Sequence, residues 1–316
     1  MGHNMADLDL LNEQIIRYNL QFQVVDRSTL GWKVSKSQIA GKGLLATKKY
    51  KPGDTIFVDH PLVVGPRYIP DLKPFCVTCY GGHNLKSCSR ECRLPVCSME
   101  CENNERHAAE CAYLRGLNGD EGAAEDWDSN RFKALTVVRC LALDELARKI
   151  VFNLHKIRSR ERNEVNLLKS HVKKKLKPED EHFMKLCCRV LDANAFEVLL
   201  PTSEPNDEQV ALRGLYPMAS ILNHSCKPNT THHFNEDCQM IVKASNIILP
   251  GCEITSTYSP LLLGTAARRS FLAFSKEFYC KCLRCKDPSV SNYNNKYPQN
   301  YSNATWKKEK GLRFEK

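Results

Sequence analysis

The stretch Asn223-His224-Ser225-Cys226-Lys227-Pro228-Asn229, preceded by Gly214-Leu215-Tyr216-Pro217, decides how the rest of the chain is read. Downstream of it, Pro250-Gly251 introduces Glu253-Ile254-Thr255-Ser256-Thr257-Tyr258, and Cys280, Cys282 and Cys285 form a C-x-C-x-x-C run. Upstream stands Gly41-Lys42-Gly43, inside Ile39-Ala40-Gly41-Lys42-Gly43-Leu44. Two glycines let a backbone approach a ligand closely, although a lone G-x-G is equally a strand turn. Taken singly, His224 reads as a satisfied core histidine and Tyr258 as a core aromatic. Their combination and order carry the chemistry.

Between the first two of these pieces lies a cysteine block. The chain has 16 cysteines, and seven of them, with His107, fall between Cys76 and Cys111. They pair as Cys76/Cys79, Cys88/Cys92, Cys97/Cys101 and His107/Cys111, with spacings C-x2-C, C-x3-C, C-x3-C and H-x3-C. Four short chelating pairs make two tetrahedral sites, and thiolate with imidazole favours Zn²⁺ over hard cations. A block this short has too little core to fold alone, so metal must supply stability. Met1 to Leu20 carries Asp7, Asp9 and Glu13 and shows no secretory signal, which argues against a disulfide reading of the same cysteines. Cys140, Cys187, Cys188, Cys238 and Cys252 read as ordinary buried thiols.

The remaining sequence sorts by pattern. Residues 1–27 read as a helix followed by a strand-like piece, Phe22 to Val25. Trp32, Val34, Ile39, Leu44, Leu45 and Ala46 read as short strands broken at Gly41 and Gly43. Lys51-Pro52-Gly53-Asp54 is a turn signal, with Ile56-Phe57-Val58 and Leu62-Val63-Val64 as strands beyond it. Residues 117–130 are a Gly/Asp/Glu-rich linker. Residues 131–200 read as helices, with Phe132, Leu135, Val138, Leu141, Ala142 and Leu146 at helical spacing. Met240-Ile241-Val242 and Ile247-Ile248-Leu249 read as strands, and the polar tail after Cys285 as disordered.

Together these motifs resemble the SET domain of lysine methyltransferases, and with the cysteine block, which resembles a MYND finger, the SET-and-MYND (SMYD) family and its arthropod branch. The resemblance covers residues 30–286. It implies an α+β chain: a β-rich SET fold with an inserted MYND zinc module, a helical insert and a post-SET zinc site. The boundaries it implies are 1–30 for an N-terminal extension, 31–70 for the first part of the SET domain and 71–112 for the MYND finger. Residues 113–200 are then the helical insert, 201–262 the SET core, 263–287 the post-SET segment and 288–316 the polar tail.

The resemblance also implies ligands and roles. Cys76, Cys79, Cys97 and Cys101 would hold one zinc, and Cys88, Cys92, His107 and Cys111 a second. Cys226, Cys280, Cys282 and Cys285 would hold a third. S-adenosyl-L-methionine would lie against Gly41, Lys42, Gly43, Asn223, His224, Tyr258 and Phe278. Tyr258 would be the catalytic residue, and Tyr216, Phe278 and Tyr279 would line the substrate channel. The sequence departs from the family in a shortened gap between Cys101 and His107, and in Lys276, which stands where the family often has a second tyrosine. The function implied is S-adenosylmethionine-dependent methylation of histone or non-histone lysines. The alternative is a zinc-dependent interaction scaffold or transcriptional regulator with a weak or inactive SET domain.

Composition narrows the partners. No run of 18 apolar residues exists, so no membrane span is expected. The formal charge is +10, and residues 156–177 concentrate Lys156, Arg158, Arg160, Arg162, Lys169, Lys173, Lys174, Lys175 and Lys177. That run reads first as a solvated helix face and second as a weak nucleic-acid contact. A protein substrate, protein partners at the MYND block, a monomeric state and a cytoplasmic or nuclear location complete the expectations.

Overall fold

A computed structural model describes residues 5–22, 30–118, 127–157, 163–201 and 210–287. The N-terminal helix α1 (Met5–Leu20) buries Leu8, Leu11, Ile15 and Tyr18. Of the expected strand from Phe22 to Val25, only Phe22 is described; it sits in a turn, its ring stacked 4.2 Å from His60. The other three residues lie outside the described ones, as do Arg158, Arg160, Arg162, most of the 117–130 linker and the tail from residue 288.

Strands β1 (Trp32–Lys36) and β2 (Lys42–Ala46) form an antiparallel pair, joined by a turn at residues 37–41. Gly43 therefore lies inside a strand, and only Gly41, at φ 53°, needs the freedom of glycine. Strand β3 (Thr55–Asp59) follows the turn at Gly53 (φ 91°), where Lys51 N donates to Asp54 Oδ2 at 2.7 Å. Strand β4 (Val63–Pro66) runs fully buried into the cysteine block.

The block contains a two-stranded ribbon, β5 (Lys86–Ser87) and β6 (Pro95–Val96), and helices α2 (Met99–Asn103) and α3 (Glu105–Gly116). Ser98 and Asn104 cap the two helices by accepting from Cys101 N and Arg106 N. The helical segment comprises α4 (Ser129–Arg139), α5 (Glu145–Asn153), α6 (Asn163–Ser170) and α7 (Pro178–Asn194). Asp128 and Asp144 cap α4 and α5, while Pro178 and three acidic residues open α7. The segment does not stay helical to residue 200: β7 (Phe196–Val198) pairs with β8 (Leu212–Leu215), which pairs with β4.

Strand β9 is the pair Asn223–His224. Strands β10 (Thr230–Phe234) and β11 (Met240–Ala244) form a sheet in the order β10-β11-β3. Ile247-Ile248-Leu249 is not a strand. It makes a single bridge from Ile248 to Tyr50, with Ile248 buried and both neighbours exposed. Strand β12 (Glu253–Ser256) lies antiparallel to β2 and parallel to β9, giving the order β1-β2-β12-β9. That sheet sets residues 42–46, 253–256 and 223–224 side by side. The chain ends, among the described residues, in α8 (Thr265–Lys276) and α9 (Leu283–Lys286). Helix α8 fills the first half of residues 263–287, ahead of Cys280, Cys282 and Cys285.

Candidate cofactor and metal sites

Asn229, the last residue of the N-H-S-C-x-P-N stretch, explains why that segment folds against β12. Its side chain donates to Glu253 O at 2.8 Å and accepts from Thr255 N at 2.8 Å, as a strand neighbour would. Thr230 Oγ1 adds a bond to Thr255 O at 2.9 Å. These bonds, with the β9–β12 pairing, bring Asn223 and His224 next to the strand that leads to Tyr258.

Asn223 then closes on the glycine loop. Its side-chain amide lies 3.1 Å from Ala40 O, 2.7 Å from Lys42 O and 2.7 Å from Glu253 Oε1. Ser37 Oγ lies 2.8 Å from both Glu253 carboxylate oxygens and accepts from Ile39 N and Ala40 N at 2.8 and 3.1 Å. A Cβ on Gly43 would stand 2.4 Å from Glu253 Oε1, so the strand needs a glycine there for space. Around Gly41 no heavy atom lies within 4 Å of a Cβ position, which leaves the loop backbone open to approach. Lys42 Nζ donates to Asn153 O at 2.5 Å.

His224 is buried and makes two directional contacts. Nδ1 accepts from Tyr258 N at 2.9 Å, and Nε2 lies 3.2 Å from Cys226 Sγ. Burial, then the Arg268 guanidinium, pushes this imidazole down to about 4, so it is neutral. The Tyr258 hydroxyl donates to Leu222 O. Burial and then the Glu253 charge raise its pKa, so it stays a donor at every physiological pH. The rings of His224, Tyr258 and Phe278 cluster at centroid separations of 5.4, 5.8 and 6.3 Å.

Two of the expected channel residues stand elsewhere. Tyr216 is fully buried, its ring against Phe196 and Phe234 and its hydroxyl donating to Cys238 O at 2.6 Å; it is a core residue. Tyr279 is 58% exposed and lies under the Arg269 guanidinium at 4.5 Å, not in the Tyr258 cluster. Lys276 is the residue that reaches Tyr258, with Nζ 5.7 Å from the ring centroid.

The sulfur ligands converge into three groups of four. Cys76, Cys79, Cys97 and Cys101 form one, Cys88, Cys92, His107 and Cys111 another, and Cys226, Cys280, Cys282 and Cys285 the third. Within each, all ligand atoms lie within 4.8 Å of one another. Measured edges include Cys79–Cys97 at 3.5 Å, Cys88–Cys111 at 3.9 Å and Cys226–Cys285 at 3.5 Å. A tetrahedral ion with Zn–S near 2.3 Å requires edges of about 3.8 Å, so the donor sets fit zinc.

The surroundings of these groups were not legible in the sequence. His107 Nδ1 lies 3.2 Å from buried Glu110, which pairs with Arg139. Arg139 also donates to Val64 O at 2.8 Å and Val77 O at 2.6 Å, tying the block to β4. In the third group, buried Arg268 places its guanidinium 3.6 Å from Cys285 Sγ. Ser37 and Arg268 lie outside every motif of the sequence, while Asn229 and Glu253 lie inside two of them without the motifs giving their partners.

The fold and these sites define a small-sheet β protein with helical inserts, in which a parallel strand pair joins an open glycine loop to a buried His-Tyr contact. Residues 41–259 match the model of the SET domain, and the chain belongs to the SET domain family. Its relatives include proteins of the SMYD type. It is 33% identical over 292 residues to the SET domain-containing protein SmydA-8, isoform B, of Drosophila melanogaster, covering 89% of this chain and 62% of that one. It is 28% identical over 283 residues to the histone-lysine N-methyltransferase SMYD3 of Mus musculus, covering 80% and 61%. The chain thus spans about 60% of the length of these curated relatives. A looser likeness joins it to the SET domain of LSMT bound to lysine and AdoHcy, with TM-score 0.39 and 14% identity over 86% of this chain and 58% of that one.

Proposed function

We propose that the chain is an S-adenosylmethionine-dependent protein-lysine N-methyltransferase carrying three structural zinc ions. The observation that carries this is the convergence of the Gly41–Gly43 loop, Asn223, His224 and Tyr258 across β2, β12 and β9. The curated relative SMYD3 is named as a histone-lysine methyltransferase, which supports the same reading.

The cofactor, when bound, supplies an electrophilic methyl group on a sulfonium. Gly41, Lys42, Gly43 and Asn223 would hold it, with His224 and Phe278 beside them. Nothing covalent is asked of the protein, which contributes alignment and electrostatics. Asn223 and Glu253 fix the glycine loop, so its backbone polar groups are set before any ligand arrives. Neutral His224 holds the Tyr258 backbone through Nδ1. The Tyr258 hydroxyl orients the acceptor amine. A lysine acceptor must first lose its proton to solvent, and burial favours that loss. The zinc ions stabilise: two hold the cysteine block together, and the third ties Cys226, next to His224, to the segment bearing Phe278.

The test is titration of the zinc-loaded protein with S-adenosylmethionine by calorimetry, followed by radiolabelled methyl transfer to core histones and other lysine-rich proteins. Saturable heat together with transfer supports the reading. Absence of any heat or thermal shift at millimolar cofactor defeats it and leaves the zinc-dependent scaffold.

A further inference from the structure

Lys276 ends α8, and Glu277 after it turns the chain with φ 60°. The lysine side chain runs back to the last turn of α7, where Nζ donates to Asp192 O at 3.1 Å and Ala193 O at 2.7 Å. A helix C-terminus carries partial negative charge, so it holds an ammonium well. The same nitrogen stands 5.7 Å from the centre of the Tyr258 ring, within cation–π range. Other positive groups crowd the same space: His155 feels Lys42, Lys156 and Lys276, with Glu277 as the opposing charge. Lys42 is tied to Asn153 O, and Lys156 to Phe152 O and Leu154 O. Among the described residues, Lys276 is the lysine that lies over Tyr258.

We propose that Lys276 is a methyl acceptor for its own active site, so that the chain methylates itself at this position. The inference rests on the methyltransferase reading above. In the step, Nζ first gives a proton to solvent. Its lone pair then forms the N–C bond to the methyl of S-adenosylmethionine. The C–S bond breaks with its electron pair passing to sulfur, which leaves S-adenosylhomocysteine. The surroundings also set the degree of methylation. Protonated monomethyl-lysine keeps two N–H donors, enough for both Asp192 O and Ala193 O, whereas each further methyl removes one of those bonds. Each further methyl therefore gives up a charge-assisted bond, so the product stops at monomethyl.

The experiment uses the full zinc-loaded chain, incubated alone with S-adenosylmethionine carrying a deuterated methyl. Peptide mass spectrometry then locates the label, and deuterium separates new methylation from any acquired during expression. The expected result is one deuteromethyl group on Lys276. Its rate should be independent of protein concentration, as an intramolecular transfer requires, and at least tenfold slower in Tyr258→Phe. Lys276→Arg should lose this label while keeping zinc content and cofactor binding. Core histones are tested in parallel. Label on histones with none on Lys276 overturns the self-methylation proposal and leaves the methyltransferase reading standing. Label on Lys276 that is equally fast in Tyr258→Phe overturns the proposal as well. No label anywhere, with no cofactor heat, overturns both.

Discussion

His224 joins the third cysteine group to Tyr258: its Nδ1 accepts from Tyr258 N at 2.9 Å while its Nε2 lies 3.2 Å from Cys226 Sγ. With Nδ1 serving as acceptor, a neutral ring carries its proton on Nε2 and donates it toward the Cys226 sulfur. A thiolate held by a metal would accept that bond and fix the tautomer. A metal held at this group would therefore reach Tyr258 through one imidazole.

Cys285→Ser removes a ligand from this group without touching His224 directly. The protein should fall from about three zinc ions per chain to about two by elemental analysis, because four-ligand structural sites fail when one thiolate is lost. Methyl transfer should fall with it. Retention of three zinc ions would show that these four cysteines do not share a metal.

Gly43→Ala tests the glycine loop. The added Cβ meets the Glu253 carboxylate, which is the shared partner of Ser37 and Asn223. Displacing that carboxylate should weaken S-adenosylmethionine binding by roughly tenfold, about 1.4 kcal/mol, in a calorimetric titration. Gly41→Ala, at φ 53°, should strain the loop but leave the carboxylate in place. Unchanged affinity in Gly43→Ala would remove the Ser37–Glu253–Asn223 cluster from cofactor binding.

Arg139→Met leaves Glu110 as a buried charge with His107 as its remaining charged partner among the described residues. The Arg139 guanidinium is the main influence holding the Glu110 carboxyl below its usual range, against its burial. Removing one partner of a buried pair typically costs about 3–5 kcal/mol. Chemical denaturation should show a loss of that order, and a change under about 1 kcal/mol would mean that the pair is not buried as described.

Asp59 supplies a pH test. Its carboxyl is fully buried, with Oδ2 accepting from Ala219 N at 2.7 Å and Oδ1 without a hydrogen-bond partner among the described residues. Burial pushes its pKa up to about 8, although the Ala219 and Met218 amides oppose the shift. Unfolded, it titrates near its ordinary value of about 3.9. The folded state therefore keeps a proton that the unfolded state releases, and stability falls as pH rises from about 4 to about 8. Asp59→Asn should flatten that decline in thermal unfolding across the window. Equal slopes in the two proteins would contradict the raised value.

The zinc-type ligands were legible because short Cys and His pairs have few other uses, and the structure gathers them into the three sets expected. The order of motifs gave the SET family. The Ser37–Glu253 contact was not legible, since 216 residues separate its partners and neither type signals the bond. Tyr216 and Tyr279 were misplaced for a related reason: nearness to a motif in sequence does not say which way a ring faces. Tyr216 turns into the core toward Phe234, and Tyr279 turns out to Arg269. The apolar run at Ile247–Leu249 has a strand's composition, but only Ile248 finds a bridging partner.

The most direct measurement compares Tyr258→Phe with wild type in radiolabelled methyl transfer and in S-adenosylmethionine binding. The substitution keeps the ring against His224 and Phe278 and removes only the hydroxyl, so zinc content and folding should persist. Losing one preorganised polar group at a reacting centre typically costs roughly 10²–10³ in rate, about 3–4 kcal/mol. Transfer should drop by that factor while cofactor affinity stays within a few-fold of wild type. Transfer as fast as wild type would contradict the placement of the active site at Tyr258.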